Sequence, residues 1–190
     1  GATGTLTITK TGTTRVIPLA FEFGNADDVG VEITVFGGSA LSTDSFNYET
    51  NPWDSLNLVR ALAPDLTIID LPINDWVLAN PIGDTSTAGS FVDNMESIIT
   101  ACKESGSVLL YTGIPSNSPG SGSYPNNATQ QTYVDALITR ASAQDCGIVD
   151  TWRGLGSTWQ TTLMTDDLHG NGYGYDDMAQ RAVNEILSLG

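Results

Sequence analysis

The one histidine of this 190-residue chain stands in Asp166-Asp167-Leu168-His169. A histidine that takes up a proton during a reaction needs a partner to hold its ring and fix its tautomer. A carboxylate three residues ahead reaches the ring when the intervening residues turn. The spacing gives that part to Asp166 and leaves Asp167 to solvent. A surface histidine in an acidic loop is the plainer explanation of a lone Asp-x-x-His. The residues that follow weigh against it, because Gly170-Asn171-Gly172-Tyr173-Gly174-Tyr175 leads into an amphipathic helix with Met178, Ala182, Val183 and Ile186 turned inward. A second stretch, Pro72-Ile73-Asn74-Asp75, reads as the turn that ends a buried strand. An asparagine there can aim its side-chain N–H at a developing oxyanion, a contact worth ~3 kcal/mol. An Asn-Asp turn explains the same residues without chemistry. The third stretch is Val35-Phe36-Gly37-Gly38-Ser39. The backbone N–H of Gly38 can come close to an anion, and Ser39 sits where a strand-to-serine elbow would hold a nucleophile.

The surrounding pattern supplies elements to hold these residues. Thr5-Leu6-Thr7-Ile8-Thr9 alternates as a half-buried strand does, Thr11-Gly12-Thr13-Thr14 supplies a turn, and residues 15–21 read as a second strand. Residues 1–30 therefore predict a β-hairpin or the remnant of a small β-sandwich. From residue 31 the pattern alternates strand and helix. Strands are expected at 31–36, 66–71, 107–111 and 146–149, the second as a fully buried run. Helices are expected at 52–63 (Leu56, Val59 and Leu62 on one face), 87–103 (Phe91, Met95, Ile98 and Ile99), 127–144 and 172–189. Residues 113–125, rich in Gly, Ser, Pro and Asn, read as a loop. Such alternation predicts an α/β fold over 31–190: three layers, α/β/α, with a mainly parallel sheet. Sites in such sheets gather at the carboxyl ends of the strands, where Gly38, Ser39 and Asn74 fall.

Composition narrows the partners. Seven Lys and Arg against 22 Asp and Glu give a net charge of −15, which repels nucleic acid and anionic lipid. No apolar run has the length to span a bilayer, and no charged-then-apolar leader opens the chain. One histidine among scattered acids does not match zinc-ligand spacing, and no glycine-rich loop opens a helix to hold a nucleotide, so neither metal nor cofactor is expected. Cys102 and Cys146, each at the end of an expected helix, read as two buried free thiols in preference to one bridge.

In this order the pieces resemble the motif blocks of the SGNH (GDSL-type) hydrolases. Asp166 to His169, with Gly174-Tyr175 behind, is similar to that family's C-terminal Asp-x-x-His block. Residues 66–75, preceded by Ala63-Pro64-Asp65, are similar to its Gly-x-Asn-Asp block, and residues 35–44 to its glycine block. Pro72 stands where the family has glycine, and no Gly-Asp-Ser block precedes residue 35. The resemblance implies an SGNH-like fold and a serine esterase in which His169 takes the serine proton, Asp166 orients His169, and Gly38 and Asn74 hold the oxyanion. It implies an O-acetylated polysaccharide as substrate. Asp75, Trp76 and Tyr111 are the candidate contacts near the carboxyl edge, with Tyr124 and Trp152 as further stacking candidates, and packing in the core or a loop is the plainer explanation of each aromatic residue. The β-rich start resembles members on bacteriophage tails that carry an inserted β-domain. That likeness implies a nucleophile upstream of this chain, an extracellular or virion-associated location and a homotrimer. Ser39 as nucleophile is the rival, although the single strand–helix unit between Ser39 and Asn74 suits neighbouring second and third blocks better. The second reading is a non-catalytic carbohydrate-binding or assembly domain of a viral tail fibre. The absent serine block favours it, and the retained Asp166, His169 and Asn74 oppose it.

Overall fold

A computed structural model describes residues 34, 41–47, 54–78, 82, 90–117 and 124–188. The chain divides into two compact units, Gly1–Ser39 and Ala40–Gly190. Only Thr34 of the first unit is described, so the architecture below is that of the second. The expected hairpin in 1–30, the rest of the 31–36 strand, Gly38 and Ser39 lie outside the described residues.

The described sheet has three parallel strands, β1 (Leu66–Ile69), β2 (Ser107–Tyr111) and β3 (Gly147–Val149), in that order. Seven helices surround it among the described residues: α1 (Thr43–Phe46), α2 (Ser55–Leu62), α3 (Pro72–Val77), α4 (Phe91–Lys103), α5 (Asn127–Ala143), α6 (Thr151–Gly154) and α7 (Gly172–Ser188). Both faces of β2 are covered. Leu109 meets Ala182 of α7 on one face, while Val108 and Leu110, which alternate to the other, are also buried. This is the layered α/β architecture that the alternation predicts. Hydroxyl and amide caps start the long helices where the sequence turns. Ser90 Oγ accepts from Asp93 N–H at 3.2 Å ahead of α4, and Asn126 Oδ1 accepts from Thr129 N–H at 2.9 Å ahead of α5. The α4 stripe of Phe91, Met95, Ile98 and Ile99 is buried as the spacing requires.

Several expectations need correction. Leu66 and Ile68 are 39% and 48% exposed, so β1 is not a fully buried strand. Register puts Ile68 beside Leu109 on one face, but α7 lies there over β3, two strands away. Val183 and Ile186 are also exposed, and α7 buries Gly174, Met178 and Ala182 instead. That set repeats every four residues, and Val183, one step past Ala182, turns about 100° off it. Leu62 is exposed at the end of α2 in the same way, whereas Leu56 and Val59 are buried. Pro72-Ile73-Asn74-Asp75 is not a turn but the start of α3, with Pro72 at a first-turn position where its missing N–H removes no helical bond. Both cysteines are free. Cys102 is buried, with its thiol pushed up to about 11 by that burial, and Cys146 is half-buried.

Gly174 fixes where α7 begins relative to the preceding loop. A Cβ there would lie 2.3 Å from the carbonyl oxygen of Leu163, whereas at Gly172 it would meet nothing within 4 Å. Gly174→Ala is expected to lower stability by ~1–3 kcal/mol through overpacking. Gly172→Ala is expected to stay within about 0.5 kcal/mol. Urea midpoints of the two variants, compared at constant slope, check the pair.

Candidate active site at the carboxyl edge of the sheet

The acid–base loop is closed at its base. Met164 and Gly170 form an antiparallel bridge, and Thr165 N–H donates to the His169 carbonyl at 2.8 Å. Inside that closure Asp166 Oδ1 accepts the backbone N–H groups of Leu168 (2.8 Å) and His169 (2.7 Å). The turn this creates brings His169 Nδ1 to 2.8 Å from Asp166 Oδ2 and 3.1 Å from Oδ1. The hydrogen bond with the His169 ring, then the two backbone donors, pull the Asp166 carboxyl down to about 2. An ionised Asp166 only accepts, so Nδ1 carries the proton and Nε2 presents its lone pair. A depressed carboxyl favours the folded turn above its unfolded value of 3.8, and that contribution is lost as pH falls through about 2. The side chains of His169 and Asp166 are 63% and 54% exposed, so solvent screens the pair and its worth lies in geometry more than in stability.

Two outside groups brace this loop. Trp159 Nε1 donates to the Asp166 carbonyl at 2.8 Å. Asn117 donates twice to Asp167, from its backbone N–H to the carbonyl (2.8 Å) and from Nδ2 to Oδ1 (2.7 Å). Asp167 is therefore half-buried and fixed, not left to solvent as its spacing suggests. Neither Asn117 nor Trp159 stands out in the sequence. Asn117 sits in a loop full of similar small polar residues, and its place after β2 is the one cue it carries.

His169 and Asn74 line one cleft of about 140 Å³, together with Asp70, Leu71, Ile73, Ile114, Leu168, Tyr175 and Met178. Asn74 Nδ2 donates to the Leu41 carbonyl at 2.7 Å, which orients the amide and leaves its second hydrogen for another acceptor. Asp75 and Trp76, expected as substrate contacts, belong to the core. Asp75 is fully buried and accepts from Thr43 N–H (2.9 Å) and Thr43 Oγ1 (2.6 Å), joining α3 to α1. Trp76 is buried with Tyr133 edge-on to it, ring centres 6.4 Å apart. It lies under Gly113, whose φ of +80° and lack of a Cβ, which would stand 2.7 Å from the indole, permit the approach. The helix explains this sorting. Successive residues of α3 point about 100° apart, so Ile73 and Asn74 face the cleft while Asp75 and Trp76 turn away from it. Tyr111 is half-buried, its hydroxyl donating to the Met178 carbonyl at 3.3 Å, and it is not among the cleft-lining residues. Trp152 is buried, its Nε1 donating to Gln130, and Tyr124 is half-buried. Tyr175 does line the cleft, although the sequence singles it out only within a motif. No group of three His, Cys, Asp or Glu side chains fit to hold a metal occurs among the described residues. The arrangement can accept a proton at Nε2 and donate a hydrogen bond from Asn74 in a cleft of mixed polar and apolar lining, which suits addition to a carbonyl.

The model of the GDSL-like lipase/acylhydrolase family matches residues 26–176. No curated protein matches the chain. Among solved structures, a lipase/acylhydrolase from Enterococcus faecalis is similar with TM-score 0.60 at 20% identity, covering 79% of this chain and 72% of that one. A carbohydrate esterase family 3 protein from Talaromyces cellulolyticus is similar with TM-score 0.61 at 19% identity, covering 81% and 70%. A catalytic mutant of Axe2, an acetylxylan esterase from Geobacillus stearothermophilus, is similar with TM-score 0.59 at 19% identity, covering 83% and 73%. At these identities the likeness is one of fold. None of the three is described as a viral tail protein.

Proposed function

Because the chain belongs to the GDSL-like lipase/acylhydrolase family, we propose that it is a serine esterase that removes O-acetyl groups from a polysaccharide. The observation that carries this reading is the convergence on one cleft of an imidazole fixed by Asp166 and the side-chain amide of Asn74. In the reaction a serine hydroxyl attacks the ester carbonyl while His169 Nε2 takes its proton. Asp166 keeps the ring in the Nδ1–H tautomer and stabilises the imidazolium that forms. Asn74 donates its second amide hydrogen to the oxyanion. His169 then protonates the departing sugar oxygen, which leaves as a hydroxyl, and water, activated by the same nitrogen, hydrolyses the acyl-enzyme. Among the described residues, the hydrogen bonds of the imidazole are those to Asp166, so the nucleophile is assigned to a serine outside them. The small volume of the cleft supports a short acyl group, the net charge of −15 is compatible with a neutral substrate, and the two carbohydrate esterases among the similar structures support a sugar ester.

The test uses the full-length protein with 4-nitrophenyl acetate and acetylated xylo-oligosaccharides, alongside diisopropyl fluorophosphate labelling and peptide mass spectrometry. The reading expects acetate release and one labelled serine, whose position identifies the nucleophile, Ser39 or another. A protein that neither turns over the esters nor takes the label overturns it. Turnover of the nitrophenyl ester alone would remove the polysaccharide. Asn74→Ala is expected to lower kcat for acetate esters ~100-fold with little change in KM, as loss of one oxyanion donor does. Steady-state kinetics with both substrates check this.

A further inference from the structure

We infer that Asn117 is a positioning residue for the Asp166–His169 pair, transmitting the rigidity of the buried core to the exposed loop that carries it. The inference rests on the esterase reading for its kinetic consequences, although its geometry stands without that reading. The acid–base loop extends into solvent, and an exposed turn closed only by its own hydrogen bonds samples many arrangements. Asn117 grips that turn at two atoms of one residue, the Asp167 carbonyl and carboxylate, at 2.8 and 2.7 Å. A two-point contact fixes direction as well as distance. The bond to a carboxylate is charge-assisted and is the stronger for it. Asp167 is bonded directly to Asp166, whose carboxylate holds the ring, so motion at Asp167 becomes motion of Nε2.

Asn117 can act as a strut because its own base is fixed. The preceding residue, Ser116, is buried, with its N–H donating to Gln130 Oε1 (3.0 Å) and its carbonyl accepting from Gln130 Nε2 (3.1 Å). Gln130 is fully buried on α5. The path therefore runs from α5 through Ser116 and Asn117 to Asp167 and the imidazole, with a hydrogen bond or a peptide link at every step. Trp159 braces the other side of the turn through the Asp166 carbonyl, so loss of Asn117 should tilt the loop and not release it.

Misplacing a catalytic group by about 1 Å can cost on the order of 100-fold in rate, and a tilt should cost less. Asn117→Ala is expected to lower kcat roughly 10-fold with KM within about twofold. Asn117→Asp sets a second carboxylate against Asp167 and should lower kcat further. The double variant Asn117→Asp with Asp167→Asn reverses donor and acceptor and should recover most of the loss. A structural readout runs beside the kinetics. His169 is the only histidine in the chain, so its imidazole nitrogen resonances are unambiguous in a ¹⁵N NMR spectrum. The Nδ1–H signal should be sharp in the wild type, broadened in Asn117→Ala and restored in the double variant. Wild-type kcat and an unchanged imidazole spectrum in Asn117→Ala overturn the inference, and so does a double variant no better than Asn117→Asp. If the wild type hydrolyses no ester, the esterase reading falls alone, and the imidazole spectra still decide the role of Asn117.

Discussion

His169→Ala is expected to lower kcat/KM for acetyl ester hydrolysis by ~1,000- to 10,000-fold while leaving the fold intact. The rate effect is large because the chain has no second histidine to take over the proton. The stability effect is small because the ring is largely exposed and its hydrogen bonds go to Asp166, another exposed side chain. A change within about 0.5 kcal/mol is expected for such a surface truncation. Asp166→Asn should approach the same rate loss by a different route, since an amide no longer selects the Nδ1–H tautomer. The two losses should not add, because both residues serve one proton transfer. Asp166 sets no limb of the pH–rate profile between about pH 4 and 9, its carboxyl lying at about 2. Initial rates of the two single variants and the double variant, with circular dichroism melts beside them, decide the matter. A His169→Ala enzyme within tenfold of wild type would remove His169 from the mechanism.

Local pattern exposes some of this site and hides the rest for physical reasons. Asp166 and His169 are legible because their interaction is made within four residues, where spacing alone dictates reach. The helix at 91–103 is legible for a similar reason, because the period of Phe91, Met95, Ile98 and Ile99 declares itself locally, although its cap at Ser90 is not read from the pattern and the expected start at 87 falls ahead of it. The side-chain directions after β1 are not legible. Pro-Ile-Asn-Asp serves a turn and a first helical turn equally well, and only the second sends Asp75 and Trp76 into the core while Asn74 faces the cleft. Exposure is hidden as well. Leu66 and Ile68 look like core residues by type, but burial is decided by whether an element from elsewhere in the chain lies over that face. Asn117 is hidden most completely, because its value comes from a residue 50 positions away.

The same logic makes Gln130→Ala the most destabilising substitution expected outside the apolar core, at ~3–5 kcal/mol. Gln130 is fully buried, and its amide satisfies four groups: Ser116 N–H (3.0 Å), the Ser116 carbonyl (3.1 Å), the Pro125 carbonyl (2.8 Å) and Trp152 Nε1 (3.2 Å). Truncation strands donors and acceptors in a dry interior, where each unpaired group costs about 1–3 kcal/mol before relaxation recovers part of it. Gln130→Met separates polarity from volume, since it fills the space and still leaves all four groups unpaired. It should lose nearly as much as the alanine variant. The loss should also reach the site. Gln130 ties α5 to the segment after β2 and to Trp152 on α6, and Asn117 lies in that segment, next to Ser116. Below its melting temperature the methionine variant should therefore show a lowered kcat of the kind expected for Asn117→Ala, with KM little changed. Urea unfolding at constant slope measures the first effect, and rates taken well below the transition measure the second. A Gln130→Met protein with stability within 1 kcal/mol of wild type would mean that water or rearranged backbone takes over the four bonds, and the core would no longer be the anchor of the acid–base loop.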